Sequence, residues 1–315
     1  MNKVKSIVCQ NRTQKALYYV GVLVAVSLLF FIVTLGSFGV LGSTLFNRKI
    51  TYDTDYQKMY AQRYSVSVSI LMYHHIACYA DNPYTVTPET FEAHMRALYE
   101  SGFTAITLRQ LVEFVDYGVP LPERPVVITF DDGYLSVYTY AFPVLKRYGM
   151  VATAFIIGEA VGTSTYKETG NPTIPKFCYL QAASMAGIVS IQSHTYDMHQ
   201  WAPFEEGRAR ENILIWEWEC ENEYEAALRA DHMKIKNEVY HHLSEVVFAV
   251  AFPHGVYDQL SLDILLSMGV RVTLTTEYGI NSVIKGDPQS LLSLNRINIE
   301  NHLGGDDIIS ILSNY

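Results

Sequence analysis

The chain has 315 residues, 49% apolar and 17% charged, enough for a substantial core in one large domain or two small ones. Its formal net charge of −9 argues against a nucleic-acid partner held through phosphates. Tyrosine, at 23 copies, suits a groove for sugar rings but equally an amphipathic core.

Residues 1–46 carry Lys3, Lys5, Arg12 and Lys15 and no acid, so all the negative charge lies beyond them. Between Ala16 and Phe46 runs an uncharged apolar stretch, longer than the roughly 20 residues a helix needs to cross a bilayer. Basic residues ahead of such a span keep that end in the cytoplasm. The pattern predicts a cytoplasmic N-terminus (1–15), a transmembrane signal-anchor (16–46), a stalk (47–65) and an extracytoplasmic globular domain (66–315). That is a single-pass cell-membrane protein; a signal cleaved near GVLGS is the alternative. Cys9, Cys78, Cys178 and Cys220 follow no metal or redox spacing, and free buried thiols are expected rather than a disulfide framework.

From Val66 onward, short apolar runs alternate with helix-like patterns. VSVSILMYHHI reads as a strand. TPETFEAHMRALYESG reads as a helix, with Thr87 as N-cap, Pro88 at the first position and Gly102 past the end. FTAIT and LRQLVEFVDYG repeat the pair. PVVITF is a strand, YTYAFPVLKRYG a helix started or kinked at Pro143, VATAFII a strand, Leu180–Ala186 a short helix and GIVSIQSH a strand. Residues 204–244 read as a long helix or a helical pair. EVVFAVAFP, SLDILLSMG, VRVTLTTE, LLSLNRINI and DDIISILSNY complete strand, helix, strand, strand, helix. Such alternation predicts an α/β fold: a parallel sheet with helices outside, as a barrel or a doubly wound sheet.

In a parallel α/β barrel, chemistry gathers at the carboxyl ends of the strands. Those ends hold His74 and His75, Asp131 and Asp132, His194, and a Pro253–Gly255 bend, with Arg296 within the last strand. His194 and His199 lie five apart, which on one helix points them away from a shared face. They converge only if the chain bends between them. Two imidazoles and a carboxylate make a three-ligand site with open positions, which suits zinc, iron or nickel. The second acid is then free to take a proton from a water, and His74 to supply one to a leaving amine. Metal-assisted hydrolysis of an amide or ester is the reaction these parts describe. His241 and His242 read as solvated, Trp216 and Trp218 as helix packing, and Asp306–Asp307 as acids suited to the start of the last helix.

TFDDGY together with SHTYDMH resembles the polysaccharide deacetylase family, carbohydrate esterase family 4, with its NodB homology domain. LMYHHI, FPHGVYD and TTEYGIN…LNRINI resemble its permuted branch, which includes poly-β-1,6-N-acetylglucosamine deacetylases. The resemblance spans about Ser69 to Ile299. It implies a distorted (β/α) barrel, Asp131 as general base, and Asp132, His194 and His199 as ligands of a divalent metal. Zinc is expected there, with nickel, cobalt or iron as alternatives. His74 matches the proton-donating histidine. His254, in a bend where that branch has tyrosine, and Tyr134 fall on the substrate and oxyanion side. The family's motif arginine has no counterpart before Pro253, and Arg296 is the candidate to orient the base. The implied function is N-deacetylation of a β-linked N-acetylglucosamine polymer of the envelope, peptidoglycan or exopolysaccharide. An O-deacetylase of an acetylated glycan and a glycan-binding pseudoenzyme are the alternatives. A glycan substrate is expected and no nucleic acid; the oligomeric state is left open.

Overall fold

The computed structural model of the protein describes residues 64–80 and 82–313. The strands are β1 (Ser65–Tyr73), β2 (His75–Ile76), β3 (Thr85–Val86), β4 (Thr104–Ala105), β5 (Pro125–Phe130), β6 (Ala152–Ile156), β7 (Thr165–Tyr166), β8 (Asn171–Pro172), β9 (Val189–Ser193), β10 (Ala249–Ala251), β11 (Val272–Leu274), β12 (Asn281–Ile284) and β13 (Ile297–Asn298). In the main sheet the order runs β11-β10-β9-β6-β5-β1, all parallel. β1 continues on its other side to β13, parallel, and to β12, antiparallel. A parallel bridge from Leu294 to Leu274 ties the segment before β13 to β11. Residues 294–298 therefore touch both edges of a curled parallel sheet. The α/β expectation with parallel strands holds.

Both faces of these strands are covered, as parallel strands require. Successive residues turn to opposite faces. Leu71, Ile128, Ala154 and Ile191 join one buried cluster, which includes Phe91, Met95 and Leu98 of the helix Pro88–Glu100. Their neighbours Ile70, Val127 and Phe155 join a second, which includes Leu111 and Val115 of the helix Leu108–Tyr117. Local sequence dictates where these helices begin. The Thr87 hydroxyl accepts the Thr90 N–H at 3.1 Å, and Thr107 forms a reciprocal box with Gln110.

Several expectations are corrected. Among the described residues no helix is long and apolar enough to cross a membrane. This overturns the single-pass cell-membrane placement: the long helix Glu221–Leu243 carries acids, lysines and histidines along its 23 residues. The N-terminus 1–15, the run 16–46 and residues 47–63 of the stalk lie outside the described residues, as does Cys9. The stretch 204–244 is α-helical only over Glu221–Leu243; before it a single 3-10 turn, Ala202–Phe204, ends ahead of Gly207 (φ +99°). Trp216 and Trp218 accordingly pack not on a helix but on each other, 5.3 Å apart, under Arg210 and Arg208. Cys78 and Cys220 are free but exposed, since both sit in irregular segments rather than the core. After β5 the chain makes a π-helical turn (Val137–Ala141) before the α-helix Phe142–Tyr148, so Pro143 falls in that helix's first turn. β12 pairs antiparallel with the start of β1, a strand the apolar pattern did not reveal.

Candidate active site

The sheet register brings the strand ends to one rim. Tyr73 pairs with Phe130, and the Asp131 N–H donates to the Tyr73 carbonyl at 2.9 Å. Ile156 pairs with Ser193, and the His194 N–H donates to the Ile156 carbonyl at 2.9 Å. Three non-glycine residues on this rim have left-handed backbone: Asp132 (φ +67°), Thr195 (φ +72°) and His254 (φ +56°). Such strain persists only where the surroundings over-determine it, and it clusters at functional sites.

Asp132, His194 and His199 converge, with one ligand atom from each lying within 4.8 Å of the others. His194 Nε2 stands 3.5 Å and His199 Nε2 3.7 Å from Asp132 Oδ1. The Ala251 carbonyl, 2.7 Å from His194 Nδ1, fixes the tautomer: Nδ1 carries the proton and Nε2 presents a lone pair to the carboxylate. Burial, then the neighbouring His194, pushes His199 down to about 3, so its imidazole is neutral. Burial would raise Asp132, but Lys176 and both histidines hold it well below the usual carboxylate range. At His194 an acceptor therefore faces the Asp132 carboxylate with no proton between them, and the His199 Nδ1 is buried without a partner. This donor set fits a divalent cation.

Asp131 is held apart from that cluster. Arg296, fully buried, donates from both terminal nitrogens to its two oxygens at 2.7 and 2.8 Å, and from Nε to the Thr275 carbonyl at 2.7 Å. Burial would raise the Asp131 carboxyl, but Arg296 keeps it ionised below its ordinary range. His74 acts electrostatically on both acids and has a buried Nδ1 without a partner. His75 turns elsewhere, its Nδ1 3.0 Å from the Ser136 hydroxyl.

The bend after β10 brings His254 beside the triad, its ring 4.7 Å from that of His199. Gly255 there has φ +72° and lies so close to Thr276 that a Cβ would fall 2.2 Å from its hydroxyl oxygen. Tyr134, expected on the substrate side, does line the cleft, but its hydroxyl donates to Asp132. The cleft, about 660 Å³, runs from Asp132, His199 and His254 towards the β7–β8 hairpin and Trp201.

Two cleft residues had no signal in the sequence. Lys176 lies over the Tyr134 ring at 3.5 Å, brought there because its backbone bridges Tyr134. Burial pulls its ammonium down to about 8, although Asp132 opposes this. Trp201 is half exposed, with its N–H 3.1 Å from the Tyr166 hydroxyl. Neither sits in a motif, and only tertiary contacts bring them to the cleft.

The parts on this rim are those of a hydrolase: a candidate metal triad and a separately held carboxylate at the strand ends of a parallel α/β sheet. The polysaccharide deacetylase family model matches residues 118–273, and the chain belongs to that family. A Bacillus subtilis protein named as a polysaccharide deacetylase is 28% identical over 75% of this chain and 72% of its own length. The poly-β-1,6-N-acetyl-D-glucosamine N-deacetylase of Escherichia coli is 25% identical over 63% of this chain; the match spans about a third of that relative, 32%. The solved de-N-acetylase of Aggregatibacter actinomycetemcomitans shares the fold, at TM-score 0.67 and 21% identity over 78% of this chain and 99% of that one.

Proposed function

We propose that the chain is a metal-dependent N-deacetylase that hydrolyses the acetamide of a β-1,6-linked N-acetylglucosamine polymer. The E. coli relative is named for that polymer and reaction. The observation that carries the reading is the separation of two adjacent acids, with Asp132 facing two imidazoles and Asp131 gripped by Arg296.

Asp132, His194 and His199 would hold the ion, and zinc suits two imidazoles and one carboxylate with open positions, as nickel, cobalt or iron do less commonly. Bound there, it supplies a lowered pKa for a water and polarisation of the acetyl oxygen. Asp131 accepts the proton of the attacking water, and Arg296 holds both its oxygens in place. The new carbon–oxygen bond forms first, pushing the carbonyl electron pair onto the acetyl oxygen; as that pair returns, the carbon–nitrogen bond breaks and His74 protonates the departing nitrogen. The products are acetate and a free sugar amine. The backbone bend at His254 offers an N–H to the developing oxyanion, a role that survives the change of side chain from tyrosine. Tyr134 positions Asp132 from the cleft side.

The test is zinc binding together with amine release from poly-β-1,6-N-acetylglucosamine. Asp131→Asn is expected to keep zinc and lose about 10²–10⁴-fold in turnover. Asp132→Asn is expected to bind zinc weakly and regain activity in excess zinc. Full activity after chelation, or unchanged turnover in Asp131→Asn, would sink the reading.

A further inference from the structure

The five-residue separation of His194 and His199 requires a bend, and the structure shows what makes it. Backbone N–H groups in irregular segments must find acceptors. In this loop His194 N–H goes to the Ile156 carbonyl (2.9 Å), Thr195 N–H to the Ser193 hydroxyl (3.0 Å) and Met198 N–H to the Thr195 hydroxyl (3.2 Å). The two at the apex, Tyr196 and Asp197, donate to one carboxylate. Tyr196 N–H lies 2.8 Å from Asp231 Oδ2, and Asp197 N–H 2.7 Å from Asp231 Oδ1. On the opposite side of the loop the Gly158 and Glu159 N–H groups donate to the Thr195 and Tyr196 carbonyls at 3.1 and 2.9 Å.

Asp231 belongs to the helix Glu221–Leu243, which carries none of the triad, and its carboxylate oxygens accept from loop backbone. Each of its oxygens is committed to a successive N–H across the left-handed turn at Thr195. Charge-assisted bonds of this kind are about twice as strong as neutral ones. Without them the apex of the turn that folds His199 back beside His194 has two unpaired backbone donors.

We propose that Asp231 is a positioning residue for the candidate metal site: its carboxylate sets the loop geometry that places the His199 Nε2 within reach of Asp132 and His194. The inference rests on the metal reading above and ties the helix Glu221–Leu243 to the site. Groups that orient metal ligands from outside typically change metal affinity by about 10–100-fold when removed. Asp231→Asn is the near-isosteric variant, since one side-chain N–H₂ must then face a backbone N–H.

The experiment uses the full chain. Zinc affinity is measured by competition with a chelator, and the metal-free melting temperature alongside it, for the wild type, Asp231→Asn, Asp231→Glu and His194→Ala. Expected are a zinc affinity about 10–100-fold weaker in both Asp231 variants and a metal-free melting temperature that is lowered but keeps a single cooperative transition. Slow hydrogen exchange at the Tyr196 and Asp197 amides of the wild type is expected as well, and does not depend on any variant folding. Wild-type zinc affinity in Asp231→Asn, or exchange at the rate of a free loop at those two amides, overturns the proposal. A wild type that binds zinc no better than His194→Ala is a different result: it overturns the metal reading itself.

Discussion

Arg296 and Asp131 show how one residue pair can stake both stability and chemistry. The pair is buried and bidentate, so each charge depends on the other. Removing one partner of such a pair typically costs about 3–5 kcal/mol, because the other is left charged and unpaired. Arg296→Met is expected to lose stability on that scale in urea unfolding. Adding Asp131→Asn to it is expected to recover part of the loss, as no buried charge then remains. A double variant no more stable than Arg296→Met would refute the coupling. Arg296→Lys keeps the charge but not the fork, and amine release is expected to fall while folding survives.

Among the elements, the helix Glu221–Leu243 joins the fold to the site through Asp231 and buries His232. Burial, then Lys236, lowers His232 to about 4, and its Nε2 has no partner. The folded state therefore resists its protonation while the unfolded chain takes the proton near its ordinary 6.5. Stability from this group is unaffected above about pH 6.5 and is lost as pH falls towards about 4, by at most about 1.4 kcal/mol per pH unit. Burial moves Asp231 the other way, up to about 6, so the wild-type slope mixes two groups. The clean measurement is the difference between wild type and His232→Phe in thermal melts at pH 7 and pH 5. The variant is expected to lose less stability between those values, and parallel profiles would show that His232 does not titrate as described.

For the whole molecule, the segment 294–298 matters most. It touches both edges of the curled sheet and carries Arg296 to the base. Ile297 and Leu98 are both buried, one in this segment and the other in an outer helix. Truncating either to alanine is expected to cost about 2–5 kcal/mol. Ile297→Ala is expected to lose more turnover than Leu98→Ala at matched stability loss, since only it loosens the ground beneath Arg296. Equal turnover in the two, assayed well below their urea midpoints, would show that the segment's position does not govern the site.

Much of this protein could be read from its sequence, because its signals are local. Caps at Thr87 and Thr107, apolar runs ending in TFDD and QSH, and acids in the first turn of the last helix each rest on neighbours a few residues apart. Strand ends in a parallel sheet share a rim, so Asp131, Asp132, His74 and His194 could be addressed before any coordinates. The irregular stretch before Glu221 misled, because periodic apolar residues there serve an Arg–Trp stack rather than a helix face. Contacts between distant residues carry no such local mark; Arg296 is a candidate only through the family resemblance. Arg296 meets Asp131 across 165 residues, Lys176 reaches Tyr134 through a strand bridge, and Asp231 holds a loop 34 residues before it. Periodicity reports which side of an element is buried, but not which partner it is buried against; only the closed arrangement of the sheet and its helices decided that.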